Sequence, residues 1–431
     1  DASYDYRDRL TNNNNFVPVW LRPGDYEAFN LQASSISDDY YGYLDPSEGS
    51  NLITALLDIG IGRVPCGSLG QAQGFVDKVI HYATGNNRFG DWRNKILLMA
   101  DDLDDPSGWE RKFVNISNSL EQAALQSSNA FNVDKIYIDA YKQVTTSGSE
   151  SYPEASKDMF RKIQQGNLVT NYIGHGGEIG LASEKFLQLS DINNWTNYDA
   201  MPLFLTITCE FTRFDDPKRV SAGEQLLLNP DGGAISLVST TRVVDVETAS
   251  EINQNIFDSL LTRPNNLPKR LGEIIKDAKN GTGLRNNPTR LKFSLFGDPS
   301  LRLAIPYFRV QTNEINGKPV AAGNLDTLEA LSKITMKGQI NDLNDQKMDD
   351  FNGVLNISVF DKPTLRQTLN NDKVLPAPQN FSLQNSLIYR GKVNVINGDF
   401  NVEFLVPLDI AYQYGFGKIS YYATNNDVDA A

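Results

Sequence analysis

Between about residue 58 and residue 303, short apolar runs that end on Gly or a polar residue alternate with longer amphipathic stretches. Buried parallel strands joined by crossover helices produce that alternation, with right-handed connections. Strands are predicted at Asp58–Pro65, Lys95–Ala100, Lys135–Asp139, Leu168–Ile173, Pro202–Thr208 and Gly233–Thr240, and Lys292–Leu303 closes the series. Helices are predicted at Leu69–Ala83, Trp109–Gln126, Pro153–Gln165, Ala222–Leu228, Thr248–Leu261 and Leu271–Lys279. The first carries Phe75, Val76, Val79 and Ile80 on one face, as a 3.6-residue period requires. Ahead of this region, Phe16–Leu21 reads as a strand with Pro near its start, and the polar stretch Thr11–Asn15 says little.

After Pro306 the period becomes 2. Runs at Lys333–Gly338, Gly353–Val359, Leu387–Val393, Phe400–Phe404 and Gly417–Tyr422 are broken by Asn, Asp and Gly, which suggests an Ig-like β-sandwich. The sandwich holds no His and no Cys, so a binding or spacer role suits it better than catalysis. The expected architecture is therefore a three-layer α/β/α sandwich on a mostly parallel sheet, followed by an Ig-like β-sandwich. The expected divisions are an N-terminal α/β subdomain at 1–147, a second α/β subdomain at 148–305 and the β-sandwich at 306–431.

Charge removes two classes of partner. Against 40 Lys plus Arg stand 53 Asp plus Glu, a net −13, which argues against nucleic acid and anionic membrane surfaces as primary partners. No apolar run approaches the roughly 20 residues of a transmembrane helix. The sequence begins at Asp1 with neither an initiator Met nor a signal-like apolar region, and is expected to be a mature product or an excised part of a longer protein. Two Cys are too few for a disulfide framework. Cys66 and Cys209 are expected to be free thiols, with Cys66 structural.

Two of the apolar runs end on reactive side chains. Leu168–Ile173 leads into Gly174-His175-Gly176-Gly177, and Pro202–Thr208 leads into Cys209. Neighbouring strands lie about 4.8 Å apart, so residues just past two adjacent strand ends can meet in the crevice where α/β sheets bind their ligands. A thiol with an imidazole base is the composition of nucleophilic acyl transfer, and Gly174 and Gly176 let backbone N–H groups approach a developing oxyanion. The bland reading of Cys209 alone is a buried, inert thiol. His81, near the end of a helix, reads as solvated.

Lys95–Ala100 runs straight into Asp101-Asp102-Leu103-Asp104-Asp105. These carboxylates admit a hard-cation site such as Ca²⁺, an acid that orients His175, or a solvated turn capping the next helix. Thr240-Thr241-Arg242-Val243-Val244-Asp245 leaves the same sheet edge as Cys209, so Thr241, Arg242 and Asp245 are placed as substrate-binding residues shaping an S1 pocket. The plain alternative is that Arg242 and Asp245 pair on the surface. Asp298 before Pro299 makes a turn.

The order apolar run–His175–Gly176, then apolar run–Cys209, resembles the caspase-like clan of cysteine peptidases, and more narrowly the gingipain family. The resemblance is carried by Asn171–Glu178, the Cys209 strand, Gly233–Thr240 and Leu295–Leu301, and spans most of residues 40–303. It implies a catalytic Cys209 and His175, an oxyanion site from the N–H groups of Gly176 and Cys209, and an acid after the Lys95–Ala100 strand, for which Asp102 is the closest positional match. Trypsin-like members place an acid near Glu110, which is expected on that ground to bind substrate.

From Tyr307 onward the chain looks most like the C-terminal signal peptidases of the type IX secretion system, which act as sortases. That resemblance implies cargo proteins with C-terminal secretion domains, anionic lipopolysaccharide as acceptor, and a location on the extracellular face of the outer membrane. It also implies an outer-membrane β-barrel partner and other type IX components, further N-terminal β-rich domains, and no required cofactor. Ca²⁺ remains open as a structural ion.

Overall fold

The structure is a computed structural model that describes residues 17–21, 34–48, 53–85, 87–216, 219–320, 327–411 and 413–431. The expected polar stretch Thr11–Asn15 lies outside the described residues. Six strands form the central sheet: β1 (Lys95–Ala100), β2 (Asn132–Tyr137), β3 (Val169–Ile173), β4 (Leu203–Ile207), β5 (Ser236–Thr240) and β6 (Phe293–Phe296). Their order is β6-β5-β4-β3-β1-β2. All neighbours are parallel except β5 and β6.

The strand interiors are apolar at nearly every position because both faces are covered. Leu97 and Met99 point into one layer, with Phe75, Ala155, Met159 and Leu226. Ile96, Leu98 and Ala100 point into the other, with Phe113, Leu120, Ile252, Ile256 and Ile274. The first layer contains α1 (Leu69–Thr84), α3 (Pro153–Gln164) and α4 (Ala222–Leu228). The second contains α2 (Lys112–Ser127), α5 (Val246–Leu260) and α6 (Leu271–Lys279).

Local chemistry explains several boundaries. Ser68 caps α1 by accepting from the Gln71 N–H, Pro153 occupies the first turn of α3, and Ser221 with Glu224 forms a capping box on α4. Buried Lys78 of α1 donates to the carbonyls of Leu227, Gly232 and Ala234 at 2.7, 2.7 and 3.1 Å, which locks the turn from α4 into β5.

Two expectations shift. Residues 58–65 make no strand: Arg63 forms a single parallel bridge to Phe296 while its guanidinium is held by Asp38 at 2.6 Å. The expected division between residues 147 and 148 falls inside one sheet, since β1 and β2 precede it while β3 to β6 follow it.

The C-terminal region is a β-sandwich of two four-stranded antiparallel sheets. One contains β7 (Arg309–Ile315), β8 (Lys333–Asn341) and β11 (Asp399–Leu405). The other contains β9 (Gly353–Phe360), β10 (Leu387–Val395) and β12 (Lys418–Thr424). Alternate residues such as Ile334, Met336, Leu355, Ile357, Val402 and Phe404 fill the space between them.

The sandwich docks on the α/β domain through buried polar contacts. Arg93 donates to Asp429 at 2.8 Å, Asn94 donates to the Tyr421 carbonyl at 3.0 Å, and Asp139 accepts the Asn370 and Asn371 N–H groups at 2.9 Å. Among the described residues, no helix is long and apolar enough to cross a membrane.

Candidate active site

The chain leaves β1 toward β2 and returns to β3 on the opposite side of β1, so the connections diverge above the carboxyl ends of these strands, where α/β sheets place their ligands. Ile173 of β3 is paired with Ile207 of β4. His175 and Cys209 each lie two residues beyond that pair, one on each strand. Register therefore delivers both side chains to the same edge, on neighbouring chains.

His175 is held from several directions. Its N–H donates to Asp101 Oδ2 at 2.7 Å and its carbonyl accepts from the Tyr172 hydroxyl at 2.7 Å. Gly174, at φ 159, lets the chain pass over β1, where a Cβ would stand 2.3 Å from that of Asp101. The imidazole lies edge-on to Trp109 and Phe113, with centroids 5.8 and 5.7 Å away, and its Nε2 meets Glu110 Oε1 at 2.6 Å.

Glu110 is thus the carboxylate on the imidazole. It is 2% exposed, and its second oxygen accepts the Asp104 and Asp105 N–H groups, both at 2.7 Å. The hydrogen bond that His175 donates to Glu110, opposed by burial, raises the His175 pKa above its ordinary value. Burial would raise Glu110, but the hydrogen bonds from His175 and the two amides outweigh it and hold the carboxyl below its usual range. With Nε2–H donating to Glu110, Nδ1 carries the lone pair a base needs.

Cys209 is partly buried, and burial pushes its thiol pKa up. Both Cys66 and Cys209 are free. Gly176 lies tight against the Cys209 strand, since a Cβ there would stand 2.7 Å from Thr208 Oγ1. Gly176–Gly177 pairs with Gly180–Leu181 in a small hairpin whose Glu178 is gripped by Arg213, from the loop after Cys209. That ion pair ties the hairpin to the loop after Cys209.

The other expected residues lie elsewhere. Asp102, expected to orient His175, is instead beside Asp101, Tyr152 and Glu184, in the layer of α3 rather than that of α2. Glu110, expected to bind substrate, is committed to the imidazole. Arg242 is fully buried and engages Asp215 through two bonds of 2.8 and 2.6 Å, besides bonding Ser34 and the Thr241 carbonyl. Thr241 is buried and donates to the carbonyls of Ile36 and Lys292, both at 3.2 Å. Asp245 caps α5, accepting from Thr248 N–H at 2.8 Å and from the Thr289 hydroxyl at 2.9 Å. These three serve the frame, so the expected S1 assignment does not follow from their positions. His81 meets Asp199 at 2.8 Å, outside this constellation.

Sequence reasoning misread Glu110 as a substrate-binding acid because it followed the resemblance to trypsin-like members of the family. The neighbouring Trp109 and Phe113 were the available signal, since an acid between two aromatics at a helix start faces the interior that those rings fill.

A thiol and an imidazole beyond adjacent parallel strand ends, with a buried carboxylate on the imidazole, are the groups that cysteine peptidase chemistry uses. Residues 1–304 match the model of Peptidase family C25, and the chain belongs to that family, the gingipains. Its fold is similar to that of the Arg-specific cysteine proteinase gingipain R (RgpB), with 16% identity and a TM-score of 0.51 over 91% of this chain and 78% of that one. The complex of the pro- and mature domains of Porphyromonas gingivalis RgpB gives 16% identity and a TM-score of 0.51, covering 91% of this chain and 80% of that one. Dimeric latent PorU from Porphyromonas gingivalis is 22% identical with a TM-score of 0.34, covering 96% of this chain and 32% of that one. No curated protein matches the chain.

Proposed function

We propose that Cys209, His175 and Glu110 carry out acyl transfer on a peptide bond. The observation that supports this reading most is the equivalent placement of His175 and Cys209 beyond the Ile173–Ile207 pair, with Glu110 2.6 Å from His175 Nε2. In this reading the Cys209 thiol passes its proton to His175 Nδ1 as sulfur attacks the scissile carbonyl. The N–H groups of Gly176 and Cys209 receive the oxyanion. Collapse breaks the C–N bond, His175 returns the proton to the leaving amine, and a thioester on Cys209 remains. Burial raises the Cys209 thiol, so in this reading the nucleophile depends on His175 to take its proton.

The acceptor decides the biology. Water completes proteolysis, and an amine completes transpeptidation. From the sequence resemblance of the tail after Tyr307, we take the second: a PorU-type sortase of the type IX secretion system at the outer-membrane surface. It would remove the C-terminal secretion domain of cargo and join the new C-terminus to anionic lipopolysaccharide, with a PorV-type β-barrel as membrane partner.

The test is mass spectrometry of such a cargo incubated with the enzyme, its membrane partner and a simple amine, with Cys209→Ala as control. An amine conjugate absent from the control supports the sortase. Hydrolysed product alone supports a gingipain-like endopeptidase. No Cys209-dependent product from a competent cargo would leave an inactive, partner-binding scaffold.

A further inference from the structure

Where the α/β domain meets the sandwich, a cavity of about 540 Å³ opens between them. Its walls come from the last turns of α1, the loop that enters β1, the turn after β6 and the Asp427–Asp429 end of the sandwich. β1 and β3 are parallel, so the entry to β1 lies at the amino edge of the sheet, whereas His175 follows the carboxyl end of β3. Val79, Leu301, Ile305 and Val428 give the cavity an apolar wall. A recess of this size, apolar with a few polar groups, has the form of a ligand site.

Three donors that line it are not used up by the fold. The Arg88 guanidinium stacks 4.5 Å from the centroid of the Phe89 ring and reaches only the Gly85 carbonyl, at 3.5 Å, with no carboxylate partner among the described residues. Arg302 donates to the Pro268 carbonyl and has no carboxylate partner among them either. Tyr82 is 5% exposed; its hydroxyl accepts the Ala304 N–H at 3.1 Å, while no acceptor among the described residues takes its own hydrogen. Burial pushes the Tyr82 pKa up to about 12, which keeps it a neutral donor. The third arginine of the cavity, Arg93, is committed to Asp429 at 2.8 Å. On the acceptor side, Asp298 binds the Ser300 N–H and hydroxyl through Oδ1, both at 2.7 Å, which leaves Oδ2, and Asp427 is exposed.

This inventory selects a ligand. Guanidinium groups and a hydroxyl donor suit a carboxylate, the acids Asp298 and Asp427 suit peptide N–H groups, and the apolar wall suits a hydrophobic side chain. A phosphate or a fatty acid would meet the two acids with nothing to donate to them. We propose that the cavity binds the C-terminal end of a peptide whose last residue is apolar, with Arg88, Arg302 and Tyr82 directed at its carboxylate. Because both regions line the cavity, such a peptide joins the sandwich to the α/β domain beside the Arg93–Asp429 pair.

The experiment is calorimetric titration of the full chain, carrying Cys209→Ala to prevent turnover. The probes are an N-acetylated tripeptide ending in phenylalanine, as free acid and as amide, and 3-phenylpropanoate. One equivalent of the acid binds, and the amide binds about tenfold more weakly because it loses the charge-assisted bonds. Arg88→Gln and Arg302→Gln each weaken the acid by about tenfold and leave the amide unchanged. Absence of saturable binding, equal affinity of acid and amide, or unaltered affinity in both variants overturns the site; the last of these is also the result expected if the peptide sits by His175 instead. Binding of 3-phenylpropanoate as tight as that of the peptide overturns the peptide assignment in favour of a free apolar acid. Should the variants fail to fold, phenylglyoxal modification of the chain with its arginines unaltered decides. Protection of Arg88 and Arg302 by the acid but not by the amide supports the site, and lack of protection overturns it. None of these readouts uses peptidase activity, so the outcome is independent of the proposed function.

Discussion

At the scale of single residues, the contact on which the proposed chemistry depends is Glu110 on His175. A buried carboxylate on Nε2 orients the ring, selects the tautomer and strengthens the base at Nδ1. Removing the charge while keeping the shape separates these effects. In Glu110→Gln, kcat falls roughly 10²- to 10⁴-fold, the range of general-base and triad-acid losses. The pH profile moves as well. In the proposed mechanism His175 must be neutral to accept the thiol proton, so its raised pKa places the acidic limb above about 6.5. Losing the Glu110 hydrogen bond lowers that pKa and shifts the limb to lower pH, which kcat/KM profiles of the two proteins read directly. An unchanged limb would show that Glu110 does not tune the base. Position along the sequence favoured Asp102 for this role, because it directly follows β1. The chain instead turns Asp102 toward Tyr152 and brings back Glu110, eight residues later, on the opposite layer.

At the scale of elements, two parallel strands in register do most of the positioning, and the loops beyond them are braced rather than left free. The Arg242–Asp215 pair has both side chains fully buried and ties the segment after β5 to the loop after Cys209. Breaking a buried pair from one side leaves an uncompensated charge. Asp215→Asn therefore lowers unfolding free energy by about 3 kcal/mol, measured by denaturant titration. Had Arg242 been a substrate-binding residue, the same change would alter KM with little loss of stability. At this scale the alternation of β and α was legible from the sequence, because apolar period and length separate buried strands from amphipathic helices. β7 was missed because Arg309, Gln311 and Asn313 alternate with only partly buried residues, leaving little apolar signal.

At the scale of the whole molecule, the sandwich is not a loosely tethered appendage. Arg93 and Asp429 are 7 and 5% exposed in their side chains and meet across the junction, where Tyr422 also donates to Asp429 at 3.0 Å. Asp429→Ala leaves Arg93 buried and unpaired. It costs about 3 kcal/mol, and the melting temperature of the α/β domain falls with that of the sandwich. A calorimetric trace in which the sandwich alone shifts would show the two regions to be energetically separate. The same junction carries Asp139, which accepts the Asn370 and Asn371 N–H groups at 2.9 Å.

What the sequence determined by itself was whatever depends on neighbours along the chain. Strand and helix periods, the change to alternation after residue 306, and the Gly-His-Gly and Cys209 endings are all local patterns. Tertiary structure alone decided which groups meet across the crevice. The partner of His175 depends on how β1 and α2 pack, the fate of Arg242 on a loop some thirty residues earlier, and the company of Asp102 on a turn eighty residues later. Burial makes those choices, because a charge leaving water must find a counter-charge or donor wherever the fold supplies one.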